Sequence, residues 1–141
     1  MPDRSSSAVW EGDLQSGKGV MKIGSGAWEG PYSFKSRFED GKGTNPEELI
    51  AAAHAGCYSM ALTAALVKAG HPPKRVETTA KVALEKTADG FRIPRIHLDT
   101  KANVSNIEQP AFLKIANDAK QNCPVSKVLS GAEISLDARL V

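Results

Sequence analysis

Hydrophobic positions change their spacing along the chain, and each change marks an element. Up to Phe38 they fall in short runs separated by turn residues: Trp10-Glu-Gly-Asp, Ser16-Gly-Lys-Gly and Gly24-Ser-Gly. Residues 20–23 and 32–38 read as short strands. In the second, Tyr32, Phe34 and Phe38 alternate with Ser33, Lys35 and Arg37, which places Arg37 near a strand end on its polar face. A polar, Gly-rich loop over 39–44 follows. The spacing then becomes helical. Asn45 suits the N-cap, Pro46 the first helical position, and Glu48 stands where a capping box needs it. Glu47 and Glu48 complement the positive end of the helix dipole. Lys68, Gly70 and Pro72-Pro73 end the element, giving a helix of about 24 residues and roughly 36 Å. Its apolar residues go all the way round, so it needs cover on nearly every side. Either a strongly curved sheet or a second subunit supplies that cover, and we expect a dimer.

Alternation resumes at Val76, Thr78, Ala80, Val82 and Leu84, and Ala88-Asp-Gly predicts a hairpin turn. On the returning strand Phe91 and Ile93 are odd while Ile96, Leu98 and Val104 are even. Pro94-Arg95 between them suggests a bulge. A second helix over 109–121 carries the stripe Phe112, Ile115, Ala116, Ala119. Cys123-Pro124 opens a short helix, and Ile134, Leu136, Ala138 and Leu140 alternate in a final strand. The order of elements is that of an α+β fold, read as a single domain over 1–141 without repeat or linker.

Composition narrows the class. The 141 residues are 41% hydrophobic and 24% charged, which excludes a disordered chain. The formal net charge of +2 gives no reason to expect a nucleic-acid or anionic-membrane partner. Met1-Pro-Asp-Arg-Ser-Ser-Ser lacks the apolar core of a signal peptide, so a cytoplasmic location is expected. Residues 49–67 carry no formal charge and approach membrane-spanning length. Their many alanines, with His54, Gly56, Tyr58, Ser59 and Thr63, argue instead for a buried helix.

Two cysteines carry the candidate chemistry. Cys57 lies mid-helix, where burial disfavours the thiolate, so as a nucleophile it needs a cation brought to it. His54 lies on the same helix face, although a His on an Ala-rich helix is more often a satisfied core group than a thiol partner. Arg37 is the other cation, and an Arg37–Glu47 ion pair could fix it; alternation alone would leave Arg37 solvated. Cys123 precedes Pro124 at a helix start, where free N–H groups lower a thiol pKa. Spacing does not decide which cysteine attacks, or whether the two meet. Neither belongs to a CxxC or a zinc pattern, so no metal or other cofactor is expected. No Ser/His/Asp set, phosphate-binding glycine loop or HExxH is apparent. Asp40 has no assigned role.

These runs make the sequence recognisable. Ser36-Arg-Phe-Glu-Asp-Gly, then Gly43-Thr-Asn-Pro-Glu-Glu-Leu-Ile-Ala-Ala-Ala-His-Ala-Gly-Cys-Tyr-Ser-Met60, and Asn122-Cys-Pro-Val-Ser-Lys-Val-Leu129 resemble the OsmC/Ohr family of osmotically inducible and organic-hydroperoxide-resistance proteins. The likeness covers most of the chain. Ala8-Val-Trp-Glu-Gly and the position of Arg37 resemble the OsmC branch; where the Ohr branch carries its working Arg, this chain offers Lys18. The resemblance implies an OsmC-like fold, with curved sheets on a long central helix, as an intertwined homodimer. It implies a thiol peroxidase acting on organic hydroperoxides: Cys57 peroxidatic, Cys123 resolving, Arg37 holding the thiolate and Glu47 orienting Arg37. The Cys57–Cys123 disulfide would be reduced by an external dithiol, and the resemblance suggests one of the dihydrolipoyl type. Phe38, Leu49, Ile50 and Met60 are the candidates for an apolar substrate wall. The competing reading is a non-catalytic redox-responsive or ligand-binding dimer that uses the same cysteine pair.

Overall fold

The computed structural model describes residues 2–141, so Met1 of the stretch read for a signal lies outside the described residues. The chain divides into two compact units, with the boundary between Leu49 and Ile50.

In the first unit β1 (Ser6–Glu11), β2 (Lys18–Ile23) and β3 (Glu29–Tyr32) form an antiparallel sheet in that order. Val9, Val20 and Pro31 share one rung of it, and they line an open concavity of about 600 Å³. Residues 34–38 are not the strand that alternation predicts. They form a short helix, α1 (Phe34–Phe38). The cause is local: Ser33 accepts the Ser36 N–H and the Ser36 hydroxyl accepts the Ser33 N–H, a reciprocal capping box. The Ser36 hydroxyl also donates to the Thr44 carbonyl at 2.6 Å, tying α1 to the following loop. Phe34 and Phe38 then meet at i,i+4, ring centroids 4.9 Å apart.

Helix α2 (Pro46–Lys68) has 23 residues and starts and stops where its signals lie. Asn45 Oδ1 accepts the Glu48 N–H at 2.8 Å, and Gly70 takes φ +87° after the last turn. Only half of the expected capping box forms. Glu48 turns its carboxylate to the Thr44 hydroxyl instead of to the Asn45 backbone.

The second unit is built on a sheet ordered β4 (Arg75–Val82), β7 (Arg95–Asn103), β8 (Glu133–Leu140), with β4 antiparallel and β8 parallel to the central β7. The change of parity on the returning strand is more than a bulge. Both strands break before Pro94, and the ends separate as a two-stranded hairpin of β5 (Glu85–Thr87) and β6 (Gly90–Arg92). Proline cannot donate to a central ladder, so the main pairing resumes only after it, Arg95 opposite Glu133 and Ile96 opposite Val82. Helix α3 (Gln109–Asn122) and α4 (Pro124–Val128) connect β7 to β8, the crossover that a parallel pair requires. Tyr58, Leu62 and Leu66 of α2, Leu98 and Ala102 of β7, and Phe112, Ala116 and Ala119 of α3 form the core. Tyr58 donates to the Ala116 carbonyl at 3.0 Å, so its buried hydroxyl is satisfied. Phe112 is fully buried at the centre of this cluster. Phe112→Ala is expected to cost about 3–5 kcal/mol in a denaturant titration; a loss below about 1 kcal/mol would mean that the cluster is not closely packed.

By length and composition α2 could cross a membrane. Its hydrogen bonds and its buried stripe, His54, Tyr58, Leu62 and Leu66 at four-residue spacing, tie it to protein instead. The all-round cover expected of this helix is not supplied within one chain. Ala52, Ala53, Gly56, Ala64 and Val67 are exposed, and Met60 is 76% exposed.

Candidate active site

The first unit holds the cation. Arg37 sits on α1 and donates from Nε to Glu47 Oε1 at 2.8 Å, so the ion pair expected from sequence forms. Glu47 lies in the first turn of α2 and is buried, whereas Arg37 keeps about a third of its side chain exposed. Because Nε takes the carboxylate, the outer N–H groups of the guanidinium are available for a further anion. The guanidinium carbon lies 5.3 Å from the centroid of the Phe38 ring. Arg37, Phe38, Trp10, Leu14, Tyr32 and Phe34 line a pocket of about 220 Å³ whose walls are largely aromatic and aliphatic. Of the expected substrate wall, Phe38 therefore lies beside Arg37. Leu49 and Ile50 are half-buried on α2, and Met60 points to solvent.

The second unit holds the sulfurs. Cys57 is on α2 and half-buried. Cys123 is fully buried and is both the last cap of α3 and the first cap of α4. Sequence spacing left open whether the cysteines meet; they do, as free thiols with their sulfurs 3.0 Å apart. Their environments differ. Burial pushes the Cys57 thiol up, and its hydrogen bond with Cys123 pushes it further. Burial acts on Cys123 in the same sense. It is outweighed by the contact with the Cys57 sulfur and by the polar groups of Ser126 and Val125 at the start of α4, which leave Cys123 below the ordinary thiol range. Burial leaves Cys57 in need of a compensating cation if it is to act as a nucleophile.

Two features escaped the sequence. His54 is fully buried with Nε2 2.7 Å from the Ser126 hydroxyl, a partner that lies beyond the reach of any local spacing rule. A Ser/His/Asp set also exists, contrary to expectation. His97 of β7 contacts Ser135 at 2.7 Å and Asp137 at 3.2 Å, both on β8. The parallel register sets His97 opposite Ser135, and Asp137 is 73% exposed, so this is a solvated cross-strand ladder on the outer face of the sheet. Among the described residues no group of three or more His, Cys, Asp or Glu could hold a metal ion.

The architecture matches that of known proteins. The family model described as OsmC-like protein matches residues 39–138, which include Glu47, Cys57 and Cys123. The peroxiredoxin OsmC of Escherichia coli is 50% identical over 134 residues, covering 94% of this chain and 93% of that protein. The organic hydroperoxide resistance protein-like 1 of Staphylococcus epidermidis is 35% identical over 104 residues, covering 72% of this chain and 74% of its own length. Among solved structures, the organic hydroperoxide resistance protein OhrB of Bacillus subtilis superposes with a TM-score of 0.69 at 22% identity, covering 97% of this chain and 98% of that one. On these matches this α+β chain belongs to the OsmC-like family.

Proposed function

We propose that the chain is a cysteine peroxidase that reduces organic hydroperoxides to alcohols, with Cys57 as the attacking sulfur and Cys123 as the resolving one. The observation that carries this reading is the approach of the two free sulfurs to 3.0 Å from separate elements, α2 and the α3–α4 junction. A disulfide needs about 2.05 Å, so little movement would close the bond. The relatives whose names carry peroxiredoxin and organic hydroperoxide resistance support the substrate class.

In this reading the Arg37 guanidinium, oriented by Glu47, is presented to Cys57 and favours its thiolate over its thiol. The thiolate attacks the distal peroxide oxygen, the O–O bond breaks, and the alkoxide leaves and takes up a proton. The free guanidinium donors stabilise charge moving onto the oxygens. Cys57 is left as a sulfenic acid, which Cys123 condenses with to give a disulfide and water. An external dithiol, of the dihydrolipoyl type, returns both sulfurs to thiols. The aromatic pocket beside Arg37, with Phe38 in its wall, gives an alkyl group an apolar surface that hydrogen peroxide cannot use. Leu49, Ile50 and Met60 extend that wall in the assembled protein. The active form is a homodimer of single-domain chains in the cytoplasm. The exposed side of α2 and the open concavity on β1–β3 are the surfaces for the second copy to cover.

The test is turnover and mass. Reduced protein given cumene hydroperoxide and a dithiol should consume both, and peroxide alone should give one Cys57–Cys123 bridge per chain by peptide mass spectrometry. A protein that neither turns over nor forms the bridge would fit a binding or sensing role and reject the enzyme.

A further inference from the structure

Asn45 uses both ends of its side-chain amide. Its Oδ1 accepts the Glu48 N–H at 2.8 Å, and its Nδ2 donates to the Ser36 carbonyl at 3.0 Å. These partners fix the orientation of the amide, because an N–H only donates and a carbonyl only accepts. One side chain thus caps α2 and holds the backbone of α1. Ser36 adds a second tie. Its hydroxyl is buried and has one proton to give. The Thr44 carbonyl at 2.6 Å is closer than the Ser33 carbonyl at 3.1 Å, so Thr44 receives it. The Thr44 N–H in turn donates to the Pro31 carbonyl at 2.9 Å, which fastens the loop to β3.

Arg37 follows Ser36, and Glu47 stands two residues after Asn45. Their ion pair has little means of orienting itself. It rests on the Nε–Oε1 bond, and Glu47 Oε2 is buried with no hydrogen-bond partner among the described residues. A two-pronged guanidinium–carboxylate fork enforces its own geometry; a single bond leaves that geometry to the backbone. The contacts of Ser36 and Asn45 set this backbone, because they join the two short segments that carry the pair.

We propose that Asn45 and Ser36 are positioning residues for Arg37: the bonds from Asn45 Nδ2 to the Ser36 carbonyl and from the Ser36 hydroxyl to the Thr44 carbonyl form a clasp between α1 and the start of α2 that aims the Arg37 guanidinium. The proposal rests on the peroxidase reading, in which Arg37 serves the Cys57 thiolate. Both residues act through the cation and not on the sulfur. The clasp also gives a purpose to asparagine at position 45. Aspartate or serine would cap α2 as well, but neither carries a second, donating arm for the backbone of α1.

Two variants open the clasp by different routes. Asn45→Ser keeps a cap for α2 and removes the donor to Ser36; Ser36→Ala removes the bond to Thr44. Exchange of the Arg37 Nε proton with water, followed by nitrogen-15 NMR of the reduced protein, reports the ion pair without any peroxide. Both variants should exchange that proton roughly tenfold faster than the unsubstituted chain, the loss of about one hydrogen bond to a charged group. An unchanged rate in either variant overturns the proposal. Alkylation of Cys57, followed against pH by peptide mass spectrometry, should move to higher pH in both and slow roughly three- to tenfold at neutral pH, up to about one pKa unit. On an Arg37→Ala background the same substitutions should add nothing, because no cation remains to be aimed. An equal further slowing there would make Asn45 and Ser36 general supports of the fold and would reject the positioning role. If Cys57 of the unsubstituted chain is not oxidised by hydroperoxide, the peroxidase reading fails, while proton exchange at Arg37 still judges the clasp.

Discussion

Cys57→Ser is expected to abolish hydroperoxide reduction, and Cys123→Ser to leave a protein that oxidises once and stops. A serine hydroxyl stays protonated at neutral pH and offers no polarisable sulfur to the peroxide oxygen. Without Cys123 the first chemical step should survive, because in the proposed mechanism Cys57 still carries the attack. The sulfenic acid then has no thiol 3.0 Å away to condense with. One equivalent of dimedone adduct on Cys57 of Cys123→Ser, and none on Cys57→Ser, is the expected pattern by mass spectrometry. The reverse pattern would exchange the two roles. Burial acts against the anion at both sulfurs, so this trapping pattern decides the assignment.

The second large effect concerns the proton on Cys57. Burial and Cys123 both hold a proton on Cys57, so attack at neutral pH needs a compensating positive charge. Arg37→Ala is expected to slow both peroxide reduction and Cys57 alkylation by roughly ten- to a thousandfold at neutral pH, the range of one to three pKa units that an adjacent cation supplies. The loss should shrink as the pH is raised, because bulk hydroxide then removes the proton that Arg37 no longer displaces. Glu47→Gln should do less harm, since an amide oxygen still accepts from Arg37 Nε and the cation itself remains. An Arg37→Ala protein with an unchanged Cys57 pH–rate profile would remove Arg37 from the mechanism. A Glu47→Gln loss equal to that of Arg37→Ala would give the carboxylate a direct part.

What the sequence discloses follows the range of each signal. The ends of α2 were legible because Asn45, Pro46, Lys68 and Gly70 act within one turn of the boundary. Helix α1 was not. Five residues are too few to separate a period of two from one of 3.6, and Phe34 and Phe38 satisfy both. The reciprocal serines Ser33 and Ser36 were the signal that could have found it. The break before Pro94 was seen as a change of parity, yet only the pairing showed that β5 and β6 leave the main sheet. That β8 runs parallel to β7 is set by the α3–α4 crossover and is invisible in alternation, which is the same for either direction. In the site, Arg37–Glu47 was within reach of local reasoning. The Cys57–Cys123 and His54–Ser126 contacts join α2 to distant residues, and only the resemblance had paired the sulfurs.

Cys123 is the single residue on which α3 ends and α4 begins, so it acts as a hinge pin between two rods. A covalent tie from that pin to Cys57 would close a loop of 66 residues. Crosslinks of such length restrict the unfolded chain by about 4 kcal/mol. The spent catalyst would therefore be tougher than the fresh one, and would outlast proteolysis while it waits for electrons.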